Sequence, residues 1–267
     1  LELSIVVCGS NDNYGGEIYR EVETTPTSPF KERCRRCLFT IDYAFSSIDY
    51  EVIFVVWNED PTRESLLEWD FLRHPRVRVV VVPPELAKSV ESDRQFHETW
   101  AKNVGIRRAK SDVILCTNPD VLWLHPFDRK ALSSSSATIA HRWTVNIGIL
   151  DVGLDIKAMQ LYVNNPAVRR NPDWNSNGDF TMMPKELWYK LEGLSTPKQE
   201  SIAGVDMWQI ERAKQLMGNY FGYKHSIWHV EHPGKPLQSG YGQTIIHPKW
   251  GFPDVKLEEW CDGVSNG

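Results

Sequence analysis

Asp112-Val113-Ile114-Leu115-Cys116-Thr117-Asn118-Pro119-Asp120 is the stretch that decides the fold. Its first part is apolar without alternation, as a strand covered on both faces must be. Its second part is a proline-stiffened polar turn ending on a carboxylate, just past the carboxyl end of that strand. In open α/β sheets ligands bind at that edge. A carboxylate held there suits a hard divalent cation, and a cation suits a diphosphate. Asn-Pro-Asp is equally good turn chemistry in its own right, so this stretch alone leaves both readings open.

Upstream, strands are read at Leu3–Cys8, Glu51–Trp57 and Val77–Val82, the last stopped by Pro83-Pro84. Helical spacing runs over Phe30–Ser47, with Cys34, Cys37, Leu38, Ile41 and Phe45 on one side, and over Thr62–Leu72 and Phe96–Ala109. Residues 14–29 read as a Gly/Thr/Pro/Ser-rich loop. Strand and helix alternate with short connections, which predicts a parallel, doubly wound sheet. Neither GxGxxG nor GxxxxGK followed by Ser or Thr occurs, so the usual backbone cradles for phosphate are absent. Downstream, the pattern predicts a short helix near Pro126, a strand over 137–143, a helix over 155–164, a loop over 171–178, a helix over 185–191, another helix after Asp206 and a last strand over 224–230. Residues 251–267 read as an irregular tail.

With 267 residues and 41% hydrophobic content, the chain can bury a full core. The net charge of −5 and the lack of long basic runs argue against a nucleic-acid partner. Eleven tryptophans suit a sugar-handling cleft, although large cores use them too. No apolar stretch approaches the ~20 residues of a membrane span, and no signal peptide is visible. The chain opens within a strand, at Leu3, which is compatible with a trimmed upstream segment. Five cysteines, with Cys34 and Cys37 as an isolated CxxC, read as free thiols. No Asn-x-Ser/Thr site occurs, and both facts lean toward a reducing, cytoplasmic setting.

The order of these pieces resembles the GT-A fold of nucleotide-sugar-dependent glycosyltransferases, in particular inverting, polysaccharide-building ones such as those of large algal DNA viruses. Leu3–Asn11, with Cys8, Gly9 and Ser10, resembles the first strand and its nucleotide-contacting turn. Phe54–Glu59, with Asn58 and Glu59, resembles the second. Ala101–Ala109, with Asn103 and Arg107, resembles the helix before the metal strand. Asn118-Pro119-Asp120 resembles the Asp-x-Asp metal motif. Gly178–Trp188 and Gly193-Leu194 resemble the segment shaping the sugar pocket, Gly204-Val205-Asp206 the catalytic acid motif, and His229 to His232 the late histidine of the metal site. Asn118 stands where the motif has its first acid, and Val205 where it has a Glu.

The resemblance implies an α/β fold, a mostly parallel twisted sheet flanked by helices. It implies a single domain over 1–267, with a nucleotide-sugar half over 1–120 and an acceptor half over 121–250. The implied partners are a nucleoside-diphosphate sugar donor and a glycan or glycoconjugate acceptor. The implied cofactor is Mn²⁺ or Mg²⁺, held by Asp120 and His229, because a cation stabilises the charge gathering on a leaving diphosphate. The acceptor hydroxyl needs a base, and Asp206 is the candidate, with an N-cap role as its alternative. Cys8, Gly9, Ser10, Asn58, Glu59, Asn103, Arg107, Asn118 and Pro119 are then nucleotide-sugar contacts. Arg142, Gly178, Asp179 and His232 are sugar or acceptor contacts, with Asp179 the reserve base. Two other classes stay open: an inactive sugar-nucleotide or glycan-binding domain, and a sugar nucleotidyltransferase. The second normally carries a basic, Gly-rich segment after its first strand, and Gly9–Gly16 has no Lys or Arg.

Overall fold

A computed structural model describes residues 1–11, 29–90, 97–133, 137–173, 177–197, 205–218, 220–232, 244–245, 249–261 and 264–265. Thirteen strands are described: β1 (Leu3–Gly9), β2 (Tyr50–Trp57), β3 (Val77–Val82), β4 (Val113–Thr117), β5 (Val121–Leu122), β6 (Ala137–Val145), β7 (Arg169–Asp173), β8 (Phe180–Pro184), β9 (Thr196–Pro197), β10 (Tyr220–Val230), β11 (Thr244–Ile245), β12 (Glu258–Cys261) and β13 (Val264–Ser265). The helices are α1 (Pro29–Ala44), α2 (Pro84–Lys88), α3 (Glu98–Arg108), α4 (Ile156–Asn164), α5 (Lys185–Lys190) and α6 (Val205–Met217).

One sheet runs through the molecule in the order β13-β12-β3-β2-β1-β4-β8-β6-β10-β5, with β7 on β6; β9 and β11 pair separately. The β3-β2-β1-β4 block is wholly parallel. From β8 onward the pairing turns antiparallel except for β6 with β10. The parallel character therefore resides in the first half, and the second half extends the same sheet.

Strand geometry explains the layers. Successive side chains point to opposite faces. Leu3, Ile5 and Val7 of β1, with Val52, Phe54 and Val56 of β2, pack on the α1 face beside Cys34, Cys37 and Ile41. Val6 and Cys8, with Ile53, Val55 and Trp57, pack on the α3 face beside Trp100, Ala101 and Val104. At Gly105, α3 meets β1 so closely that a Cβ would lie 2.4 Å from Val6 Cγ1. A third cluster, around Leu122, Met159 and Trp228, seats α4 under the second half.

Several expected elements differ. Residues 62–72 do not form one helix. They form two 3₁₀ turns, Leu66–Glu68 and Asp70–Arg73, separated by Trp69 in an extended conformation. Ser65 caps the first turn, its hydroxyl accepting from Leu67 N. The expected loop over 171–178 contains part of β7, paired to β6. The short helix expected near Pro126 is a 3₁₀ turn at Arg129–Ser133.

The stretch 251–267, expected as an irregular tail, contains β12 and β13. β12 adds antiparallel to β3, with Trp260 opposite Val79. Ion pairs fasten it: Arg78 Nη1 lies 2.8 Å and Arg108 Nε 3.2 Å from the Glu259 carboxylate. Arg78 also pairs with buried Glu51 at 3.0 Å. Arg108 donates to the carbonyls of Gly251, Phe252 and Val255. These partners lie far away in the sequence, so no local pattern announced the strand. The loop over 14–29 lies, apart from its last residue, outside the described residues.

Candidate functional site

β4 delivers the site. Thr117, its last residue, is fully buried, and its hydroxyl donates to the Asp179 carbonyl at 2.7 Å. Pro119 fixes φ in the turn that follows. Cys37 Sγ donates to the Asn118 carbonyl at 3.4 Å, and Val121 N donates to it at 3.3 Å. The turn is thus pinned between β4, α1 and β5. β5 pairs with β10 so that His229 stands opposite Val121, one residue from Asp120. Val230 N donates to the Asp120 carbonyl at 2.9 Å.

Three side chains converge there. His232 Nε2 lies 2.8 Å and His229 Nε2 3.5 Å from Asp120 Oδ2. Their ligand atoms all fall within 4.8 Å of one another. Adjacent donors about 2.1 Å from an octahedral cation lie about 3 Å apart, so the spacing fits a shared divalent ion. Among the described residues, no other group of three His, Cys, Asp or Glu converges this way. Asp120 is 7% exposed. Its Oδ1 and His229 Nδ1 have no hydrogen-bond partner among the described residues. Buried polar atoms in that state call for an ion, a water or a ligand.

The electrostatics agree. Burial alone would push the Asp120 carboxyl up, but attraction to His229 and hydrogen bonds from His229 and His232 hold it well below the usual carboxylate range. Burial pulls His229 down, but attraction to Asp120, its hydrogen bond and attraction to Asp179 leave it raised. A deprotonated carboxylate is ready for a cation, while a proton on His229 must leave before that nitrogen can ligate.

His232 was expected to touch the sugar. Its ring lies in the Asp120 cluster. In an extended strand, residues three apart face opposite sides. β10 ends at Val230, so this rule does not carry through to 232.

Beside the cluster, Asp179 is 3% exposed and both of its carboxylate oxygens are engaged. Oδ1 accepts from Asn118 Nδ2 at 2.8 Å, and Oδ2 from Arg142 Nη1 at 2.6 Å. Gly178 offers its carbonyl to Lys102 Nζ at 2.9 Å. Arg142, Gly178, Asp179, Asn118, Asp120, His229 and His232 therefore form one contiguous group. The roles of Lys102 and Cys37 in holding it were not visible in the sequence. Each is a lone polar group on a helix, and only the fold reveals what it reaches.

The other candidates divide. Cys8 and Gly9 end β1, and Ser10 follows it next to Asn58, which follows β2; Ser10 Oγ donates to the Asn58 carbonyl at 3.5 Å. Asn58 adopts a left-handed conformation, φ 46°. These residues share the carboxyl edge with Asp120, although the Cys8 side chain is buried against α3. The Glu59 carboxylate accepts from Ser65 Oγ at 2.7 Å and Leu66 N at 2.5 Å, so it caps a 3₁₀ turn. Asn103 is 1% exposed; it donates to the Leu194 carbonyl at 2.8 Å and accepts from Leu194 N at 2.7 Å. That amide clasps the backbone beside Gly193, whose φ of +73° is the left-handed region. Arg107 lies nine residues beyond Glu98 along α3, roughly 14 Å away along the axis. It stacks 3.6 Å over Trp250 and donates to the Trp250 carbonyl. Glu59, Asn103 and Arg107 are thus engaged in holding the fold, where nucleotide contacts were expected. Asp206 lies in the first turn of α6. Its side chain, and Gly204 before it, lie outside the described residues.

No protein-family model matches the chain, and no curated protein matches it in sequence. Solved structures with a similar fold include three proteins. One is the catalytic domain of Drosophila β1,4-galactosyltransferase 7 in complex with xylobiose, at 11% identity and a TM-score of 0.41, with 84% of this chain and 65% of that one covered. The second is S. aureus TarS in complex with UDP-GlcNAc, at 11% and 0.47, covering 90% and 62%. The third is the mannosyltransferase PcManGT from Pyrobaculum calidifontis with GDP-Man and Mn²⁺, at 17% and 0.46, covering 88% and 58%. The chain thus spans somewhat less than two thirds of each of these solved chains. No helix among the described residues is long and apolar enough to cross a membrane.

Proposed function

We propose that this chain is a metal-dependent glycosyltransferase of GT-A type, moving a sugar from a nucleoside-diphosphate sugar to a hydroxyl of a glycan acceptor with inversion. One observation carries the reading: Asp120, His229 and His232 converge at the carboxyl edge of a parallel α/β block, with a carboxylate oxygen among them that has no hydrogen-bond partner among the described residues. That edge is where such sheets bind nucleotides. The first half of the chain offers no Gly-rich phosphate loop, so charge on a diphosphate must be met another way.

Asp120, His229 and His232 would hold the ion. Two imidazoles with one carboxylate favour Mn²⁺ over Mg²⁺, because Mg²⁺ prefers oxygen ligands throughout. When bound, the ion would act as a Lewis acid for the departing diphosphate. The remaining work belongs to the chain. The β1 and β2 ends, with Ser10 and Asn58, would receive the nucleoside. Gly178 and Arg142 would border the sugar. Asp179 has both oxygens engaged, which makes it a poor base. Asp206, in the first turn of α6, remains the candidate to take the acceptor's proton.

The decisive experiment is calorimetric titration with UDP, GDP and their sugar conjugates, with MnCl₂ or with EDTA, followed by NMR of the transferred anomer. Tight binding only with Mn²⁺, lost in Asp120→Asn, is expected, and the product should carry the inverted configuration. Binding that ignores EDTA removes the ion from the reading. Retention of configuration removes the single displacement. Binding without any transfer would favour the inactive sugar-nucleotide-binding alternative.

A further inference from the structure

We propose that Asp179 is a positioning residue. With Arg142 it locks the Asn118 amide so that Oδ1 alone faces the site, and this pairing is the reason position 118 carries an amide and not a carboxylate. The inference rests on the reading of the Asp120 cluster as a cation site and extends it to residues that do not ligate.

The argument begins with hydrogen-bond capacity. An ionised carboxylate only accepts, whereas a side-chain amide has one accepting and one donating end. Asp179 Oδ1 lies 2.8 Å from the Asn118 amide, so the atom facing it must be Nδ2. Arg142 occupies the other oxygen at 2.6 Å and neutralises the buried charge. The Asp179 backbone is itself fixed, its carbonyl accepting from Thr117 Oγ1 at 2.7 Å and the Gly178 carbonyl from Lys102 at 2.9 Å. Asn118 therefore cannot flip without losing a charge-assisted bond in a buried place.

The orientation has a consequence. Asn118 Oδ1 is buried and has no hydrogen-bond partner among the described residues, and neither has Asp120 Oδ1. Two acceptor oxygens, two residues apart on one rigid turn, are left for the occupant of the site. A carboxylate at 118 would instead meet Asp179 at hydrogen-bond distance. A carboxylate there has no N–H to donate, so it would lose the bond to Asp179 Oδ1 and repel that oxygen, and the turn would shift.

The test uses the intact chain and MnCl₂ alone as probe, read by the EPR signal of free Mn²⁺, with thermal unfolding in EDTA as a second, metal-free readout. Asn118→Asp adds a carboxylate beside the ion, yet it is expected to bind Mn²⁺ at least about 10-fold more weakly than wild type. Asp179→Asn should weaken it too. The double variant Asn118→Asp/Asp179→Asn reverses the polarity of the pair and should return to within about 3-fold of wild type. In EDTA both single variants should melt earlier, with recovery in the double. Tighter Mn²⁺ binding by Asn118→Asp, or additive losses in the double variant, would overturn the pairing. Should Asn118→Asp fail to fold, the isosteric Asp179→Asn decides: unchanged Mn²⁺ affinity overturns the role. A wild-type protein blind to Mn²⁺ sinks the cation reading instead, and the EDTA melting cycle still judges the pair separately.

Discussion

Asp120 shows how much one side chain can say before a fold is known. Its type, its turn and its place after an apolar strand made a cation one of two open readings, beside plain turn chemistry. Its partners depended on where a strand more than 100 residues later comes to lie. His229 was a candidate ligand from the sequence because it lies one residue before the end of that strand. His232 was not, because strand arithmetic turns it away and only the chain past β10 brings it back. The two histidines make a direct prediction. Their Nε2 atoms lie 3.5 and 2.8 Å from the same carboxylate oxygen. His229→Ala and His232→Ala should therefore both weaken Mn²⁺ binding, each by at least the ~10–100-fold seen for outer-shell partners of metal sites. Calorimetry with MnCl₂ checks this, and a variant at wild-type affinity would remove that histidine from the ligand set. Asp206 makes another. Asp206→Asn should bind donor as wild type does while turnover falls about 10²–10⁴-fold, the usual cost of losing a general base. Near-normal turnover with a lowered melting temperature would make it a helix cap.

Among elements, α3 bears the most responsibility. Its first turns reach Gly178 through Lys102, its middle clasps Leu194 through Asn103, and its end binds the backbone around Trp250 through Arg107 and Arg108. Its position in the alternating pattern was readable, but its polar contacts were not, since each partner is remote in sequence. Gly105 is the test of how closely it packs. Alanine there would gain about 1 kcal/mol of helix propensity. It would also press a methyl to 2.4 Å from Val6 Cγ1. Overpacking of this kind costs about 1–3 kcal/mol. Gly105→Ala should thus be neutral to destabilising by ~2 kcal/mol in urea unfolding, and a clear gain in stability would show that α3 has room to move.

For the whole molecule, the alternating first half was legible because its strands are short and apolar and the first three are separated by helices or, after β2, by 3₁₀ turns. The second half was less so, because mixed pairing leaves no simple sequence period and β7 and β12 are recruited by distant edges. The cysteines report on the packing of the whole. Cys8, Cys34, Cys37 and Cys116 are buried and all five are free thiols. Burial raises each of these four, Cys116 to about 12. Cys261 is partly exposed. Since thiolate is the reactive form, iodoacetamide at neutral pH should label native protein at Cys261 alone, and in urea at all five. Mass spectrometry of the labelled chain decides it, and rapid native labelling at Cys34 or Cys37 would mean that α1 opens.

The fastening of β12 also sets a timetable. Arg78 and its partner Glu259 are 181 residues apart. A ribosome adding ~5–20 residues per second needs about 10–40 s to travel that distance. Through that interval the outer edge of β3, written Val-Arg-Val-Val-Val-Val, stands without its neighbour. An uncovered edge of that composition readily recruits strands from other chains. The arginine at its second position is thus a guard for the nascent protein before it becomes a clasp for the finished one.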